Sequence, residues 1–169
     1  MIRLIAFLSA LLSFPASADE VIDLWQARNW SGYYIPETQT CGMFATYSDR
    51  FMAITYTQNG TPNYQGWRIG FYSADWNVES GQFRGIIGID ARWTTPFNAQ
   101  TGAEGNGITG PLLWDADGIE SFAEGITLWL DVGTTPLHFP LYGSKAALIK
   151  NWDYCLQPLL GFGKSNPFQ

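Results

Sequence analysis

Charge, histidine and cysteine are all scarce in this sequence, and each shortage narrows what the chain can be. Only 14% of its 169 residues are charged, with 9 Lys and Arg against 15 Asp and Glu, for a formal net charge of −6. An acidic chain with so few cations argues against nucleic acid or anionic lipid as a partner, because like charge repels phosphate. The only histidine is His138 and the only cysteines are Cys41 and Cys155. Those three residues fall short of the four ligands of a zinc site, and the two thiols lack the C-x-x-C spacing of a redox pair. No apolar run reaches the roughly 20 residues that span a bilayer, so the chain is not expected to cross a membrane with a helix.

What is abundant points to a folded domain. Apolar residues make up 46% of the chain and aromatic residues 16%, which excludes disorder. The presence of 18 Gly and 9 Pro argues against a coiled coil. The length suits one domain with a full core.

Residues 1–18 have the features of a signal peptide. Met1-Ile2-Arg3 is a positive start, Leu4 to Phe14 is apolar, and Ala16-Ser17-Ala18 is a small-x-small cleavage pattern before Asp19-Glu20. Residues 19–169 are then a single exported domain, periplasmic or secreted. In an oxidising compartment, Cys41 and Cys155 are expected to form a disulfide.

Along the mature chain the dominant period is two. Met43 to Tyr47 and Phe51 to Thr57 predict strands around the turn Ser48-Asp49, and Asn59-Gly60-Thr61-Pro62 predicts the next turn. Trp67, Ile69 and Phe71 alternate with Arg68, Gly70 and Tyr72, and Phe83 to Ala91 alternates likewise. Thr94 to Gly110, rich in Gly, Asn and Thr, is expected to be a long loop, and Asp117 to Glu124 a short helical turn. Ile126, Leu128, Leu130 and Val132 share one face of a further strand, which turns at Gly133-Thr134-Thr135-Pro136 into Leu137 to Leu141. The period then changes to that of a helix. Ser144 is the expected N-cap, Leu148, Trp152 and Cys155 form the buried stripe, Lys150, Asn151, Asp153 and Gln157 face the other side, and Pro158 ends the helix. The expected fold is mainly β, an antiparallel sandwich or partly closed barrel with one C-terminal helix that the disulfide pins to the sheet.

A resemblance adds to this reading. Thr127-Leu128-Trp129-Leu130-Asp131-Val132, Phe139-Pro140-Leu141-Tyr142-Gly143-Ser144-Lys145-Ala146-Ala147-Leu148 and Cys155 are similar to the C-terminal signature of the invasion-associated locus B family. Cys41, Met52, Trp67-Arg68-Ile69 and Ile89-Asp90 are similar in placement. The resemblance spans most of the mature chain and is most specific in its last part. It implies a small secreted or periplasmic protein of an alphaproteobacterium, in a family linked to host-cell invasion and without established catalytic residues.

The chemical motifs are weak. Gly105 to Gly110 fits G-x-G-x-x-G, but Pro111 follows it and no βαβ unit surrounds it, so no dinucleotide site is expected. Asp115, Asp117 and Glu124 partly match a calcium loop, although Leu113 stands where its first ligand belongs. His138 lies on an alternating strand without a G-x-S-x-G elbow or an S-x-x-K motif to serve. Asp90, Asp115, Asp117, Glu120 and Asp131 are the carboxylates available to a glycosidase, with no spacing that selects a pair. No cofactor is implied and no catalytic set emerges.

Aromatic residues are the remaining signal. Trp67, Trp76, Trp129 and Trp152 are expected in the core. Trp25, Trp30, Tyr33, Tyr34, Trp93 and Trp114 sit in loop-like segments, where their rings either cap the sandwich ends or contact a protein or glycan. The expectation is a non-enzymatic domain that binds an envelope or host protein. The alternatives are a carbohydrate-binding module or weak glycan hydrolase, and a structural accessory subunit of an envelope assembly.

Overall fold

The computed structural model describes residues 20–60, 65–102, 105–133 and 136–161. The expected signal peptide at 1–18, and the turn residues Thr61, Pro62, Thr134 and Thr135, lie outside the described residues. Within them the chain forms β1 (Ile22–Ala27), β2 (Trp30–Ile35), β3 (Thr40–Thr46), β4 (Arg50–Thr57), β5 (Gly66–Ser73), β6 (Gln82–Ile89), β7 (Trp93–Thr101), β8 (Gly107–Pro111), helix α1 (Ala116–Glu124), β9 (Thr127–Asp131), β10 (Leu137–Pro140) and helix α2 (Ser144–Asn151). All ladders are antiparallel, in one open sheet ordered β1-β2-β3-β4-β5-β8-β7-β6-β9-β10.

Cross-strand register places the apolar residues in rows. Trp30, Ala45, Met52, Phe71 and Ile108 are successive partners across five strands, and all are buried. A second row runs from Trp25 through Gly32, Met43, Ile54 and Ile69 to Gly110. A third, at one end of the sheet, joins Tyr34, Cys41, Tyr56 and Trp67. The sheet folds back over these rows like a sandwich, since the Phe139 ring of β10 stands 4.8 Å from the Phe71 ring of β5. The returning edge is latched by side chains. Tyr47 Oη donates to the Pro140 carbonyl at 2.7 Å, and Trp30 Nε1 donates to the Tyr142 carbonyl at 3.1 Å. Burial pushes the Tyr47 phenol above the ordinary tyrosine range, which keeps that donor protonated.

Several expectations change. Thr94 to Gly110 is not a loop, because it contains most of β7 and β8. Its alternation is carried by Thr95, Phe97 and Ala99, whose buried side chains alternate with exposed Thr94, Pro96 and Asn98. Pro96 is tolerated because β8 pairs with β7 only at Gln100 and Thr101, so β7 has a ladder on one side at that point. Asp117 to Glu124 belongs to a nine-residue helix rather than a single turn. Ile126 stands outside β9 and is exposed, while Leu128 and Leu130 are buried as expected.

The C-terminal helix also differs in detail. Gly143, at φ +88°, takes the N-cap position, and Ser144 Oγ instead donates to the Phe122 carbonyl at 2.7 Å, joining α2 to α1. Pro158 does not end the helix. A π turn over Trp152–Leu156 precedes it, with Gln157 N–H bonded to the Trp152 carbonyl, and a helical turn α3 (Gln157–Leu160) follows up to Gly161. The wider turn relieves the pressure that a proline ring exerts on the carbonyl four residues back. The expected bridge between Cys41 and Cys155 is present, with sulfurs 2.05 Å apart.

Asn151 was expected on the solvent side and is buried, at 1% exposure. It lies on the sheet-facing stripe between Leu148 in the main core and Cys155 in the disulfide cluster. Neither of its carboxamide atoms has a hydrogen-bond partner in the structure. Such a group costs about 1–3 kcal/mol. The near-isosteric Asn151→Leu variant is expected to raise the thermal midpoint by a few degrees, and a lower midpoint would contradict this. The disulfide spans 114 residues of sequence and stabilises the fold by about 5 kcal/mol in the chain-entropy model. Reduction, or Cys41→Ser, should therefore lower the midpoint by about 10–20 °C in calorimetry, whereas an unchanged melting curve would remove the staple.

Candidate functional site

The aromatic residues that loop-like surroundings left available for binding are mostly core. Trp30 and Tyr33 are 0% and 1% exposed, and Trp25 and Trp93 are buried as well. Glycine explains three of these positions. The Trp25 ring lies on Gly32, the Tyr33 ring on Gly42 and the Trp93 ring on Gly118, each where a Cβ would collide with the ring. Trp30 packs edge-on against Phe122 with ring centroids 5.7 Å apart. Tyr34 and Trp114 are half-buried, Tyr34 beside the disulfide and Trp114 between Trp67 and Phe122 at 5.3 Å from each. These six rings form the core and its rim rather than one exposed platform.

Asp115, Asp117 and Glu124 do not converge on a cation site. Asp115 is the N-cap of α1, its Oδ1 accepting from Gly118 N at 2.7 Å and from Trp93 Nε1 at 2.9 Å. Asp117 and Glu124 belong to that helix, whose rise of about 1.5 Å per residue separates them by about 10 Å. Glu124 turns instead to Lys145 Nζ, at 2.6 Å, and this bond holds its carboxyl below the usual carboxylate range. Among the described residues no group of three or more His, Cys, Asp or Glu is placed to hold a metal ion. His138 is exposed on edge strand β10, opposite Trp129. The glycine run leads into β8, where Gly107 and Gly110 lie against the rings of Tyr72 and Phe97 rather than at a helix start.

A different surface is assembled where β1–β2, β9 and the approach to α2 meet. Ile126 and Tyr142, at 76% and 69% exposure, are the two most exposed large apolar side chains among the described residues. Their segments are joined by a hydrogen bond from Leu141 N to the Ile126 carbonyl at 2.8 Å. The backbone beneath them is braced. Asp90, at φ +49°, accepts from Ile126 N at 3.1 Å and from Thr127 N at 3.0 Å. Its carbonyl accepts from Trp129 Nε1 at 2.9 Å. The carbonyl of Tyr142 is held by Trp30, and Gly143 supplies the left-handed turn behind it.

Arg28 completes the surface. It occupies the two-residue turn between β1 and β2 at φ +58°, a conformation uncommon for a residue with a side chain. Its guanidinium carbon stands 4.1 Å from the centroid of the Tyr142 ring, a cation–π stack. An aromatic ring, a guanidinium and an aliphatic side chain on a fixed backbone are the composition of a protein-binding hot spot. None of the three stood out in the sequence. Ile126 extends an alternating strand pattern, and Arg28 and Tyr142 meet across more than a hundred residues. Comparison with protein-family models, with curated proteins and with solved structures finds no match for this chain.

If the Asp90 carboxylate fixes this surface, Asp90→Ala should cost about 2 kcal/mol, since hydrogen bonds to charged groups contribute about 1.5–3 kcal/mol each before allowance for exposure. A fall of several degrees in thermal midpoint is expected, and an unchanged midpoint would show that the brace is idle.

Proposed function

We propose that this chain is a non-enzymatic domain, exported to the periplasm or beyond the cell, that binds an envelope or host protein through the surface of Arg28, Ile126 and Tyr142. The observation that carries this reading is that the two most exposed large apolar side chains among the described residues lie on segments joined by the Leu141–Ile126 backbone hydrogen bond, with the Arg28 guanidinium over the Tyr142 ring. Apolar groups carried on a clamped backbone have little backbone freedom left to lose on binding. Export is supported by the features of residues 1–18, by the disulfide, and by the resemblance to a family of exported proteins. No helix among the described residues is long and apolar enough to cross a membrane.

The non-enzymatic reading is supported by how the reactive groups are occupied. Both thiols are bridged. The Asp90 and Asp115 carboxylates and Asp131 Oδ1 accept hydrogen bonds from backbone N–H groups. A glycan-binding reading draws less support, because four of the six rings it relied on are buried.

The test is retention of a partner from envelope extract on immobilised mature protein, compared with Ile126→Asp and Tyr142→Ala. Each substitution is expected to weaken retention by about 30-fold or more, the size of a hot-spot loss, with the thermal midpoint within a degree or two of the parent. Equal retention by parent and variants would remove this surface from the function. Binding to a glycan array that both substitutions abolish would favour the carbohydrate-binding alternative.

A further inference from the structure

We infer that the surface of Arg28, Ile126 and Tyr142 selects an acidic partner, a protein segment that presents a carboxylate beside an apolar side chain, with Arg28 as the group that grips the carboxylate. The inference rests on the binding role proposed above and specifies the chemistry of what is bound.

Three observations support it. The first is the state of the Arg28 guanidinium. The ion pairs Arg50–Asp49 and Lys145–Glu124, both among the described residues, do not include Arg28. The Arg28 guanidinium carbon stands over the Tyr142 ring at 4.1 Å, and Arg28 is itself exposed to solvent. The N–H fork of a guanidinium matches the two oxygens of a carboxylate, and contact with the ring restricts the motion of the side chain in advance.

The second observation is the local balance of charge. The whole chain has a formal net charge of −6 with only 9 basic residues. Three of them, Arg28, Arg92 and Lys145, lie around this surface. Arg28 covers Tyr142, Lys145 pairs with Glu124 two positions before Ile126, and the charge of Arg92 also reaches Glu124. The carboxylates here are already engaged, Glu124 with Lys145 and Asp90 with the Ile126 and Thr127 amides. Three cations against the carboxylates of Asp90 and Glu124 leave this surface with a small positive excess on an acidic molecule, and complementarity favours an anionic partner there.

The third is the backbone of Arg28. A left-handed conformation at a residue with a side chain is unfavourable, and glycine or asparagine would fit that turn better. An arginine there carries a local cost that the stack on Tyr142 and a bound carboxylate offset. Ile126 and the open side of the Tyr142 ring supply the apolar contact that a bare anion would not use.

The probe is a pair of short capped peptides titrated into the mature protein labelled for NMR, one alternating leucine with aspartate and the other leucine with asparagine. The acidic peptide is expected to shift the Arg28 Nε–Hε, Ile126 and Tyr142 signals. The neutral peptide should bind about tenfold more weakly, as should the acidic peptide to Arg28→Gln, in line with loss of a charge-assisted hydrogen bond. Arg28→Lys should restore little, because an ammonium lacks the fork. Salt at about 0.5 M should remove most of the difference between the peptides. Equal binding of the two peptides, or an unaffected Arg28→Gln, would overturn the acidic chemistry while leaving the apolar surface intact as the binding site. Arg28-dependent binding of an oligouronate, with neither peptide bound, would overturn it in favour of an acidic glycan. Failure of both peptides to shift any of the three residues overturns it as well, and partner retention by Tyr142→Ala then decides whether the surface binds at all.

Discussion

The bridge between Cys41 and Cys155 ties the third strand to the end of the chain, and the position of α2 depends on it. Cys41 lies in the row of Tyr34, Tyr56 and Trp67 at one end of the sheet, while Cys155 lies in the π turn beyond α2. The helix is thereby held at its C-terminal end by a covalent bond and at its N-terminal end by the Ser144–Phe122 hydrogen bond and the turn at Gly143. Between these points Ala147 and Leu148 complete the main core. A fixed helix in turn fixes the residue that enters it, and this is how a structural crosslink comes to position Tyr142, far from it along the fold.

The same economy recurs in the core. Aromatic rings lie over glycines of neighbouring strands, as Trp25 does over Gly32 and Trp129 over Gly88. This arrangement buries large apolar area in a sheet whose two halves face each other, and it accounts for the many tryptophans without assigning them to binding. The residues left to meet a partner are fewer and sit at the seam where the sheet folds back. There the Tyr47 and Trp30 latches bring β10 and the chain after it toward β2 and the β3–β4 turn.

How much of this was legible in the sequence depended on whether one segment carried its own signal. Strict alternation around Met52, Ile69, Ile87 and Leu128 identified strands correctly, and the change of period after Gly143 identified the helix. The cysteine pair was read from compartment and count. The strands β7 and β8 were missed because Gly, Asn, Thr and Pro96 mask a period of two that is plain once burial is known. Whether Trp25, Tyr33 and Trp93 cap the sandwich or meet a partner stayed open in the sequence for a related reason, since each ring is covered through a glycine on another element and nothing local announces that pairing. Asn151 was placed with the polar residues of α2, although helical spacing set it between Leu148 and Cys155. Arg28 and Tyr142 meet only through tertiary structure, and the segment of Ile126 joins that of Tyr142 only through the Leu141–Ile126 hydrogen bond.

The two sulfurs are committed to each other and staple the fold, and the proposed export is what would let that bond persist. Intact-mass spectrometry under non-reducing conditions, on protein recovered from the cells that make it, tests this most directly. The predicted product begins at Asp19 and is about 2 Da lighter than its reduced form. A product that retains residues 1–18, or one that carries two free thiols, would contradict it.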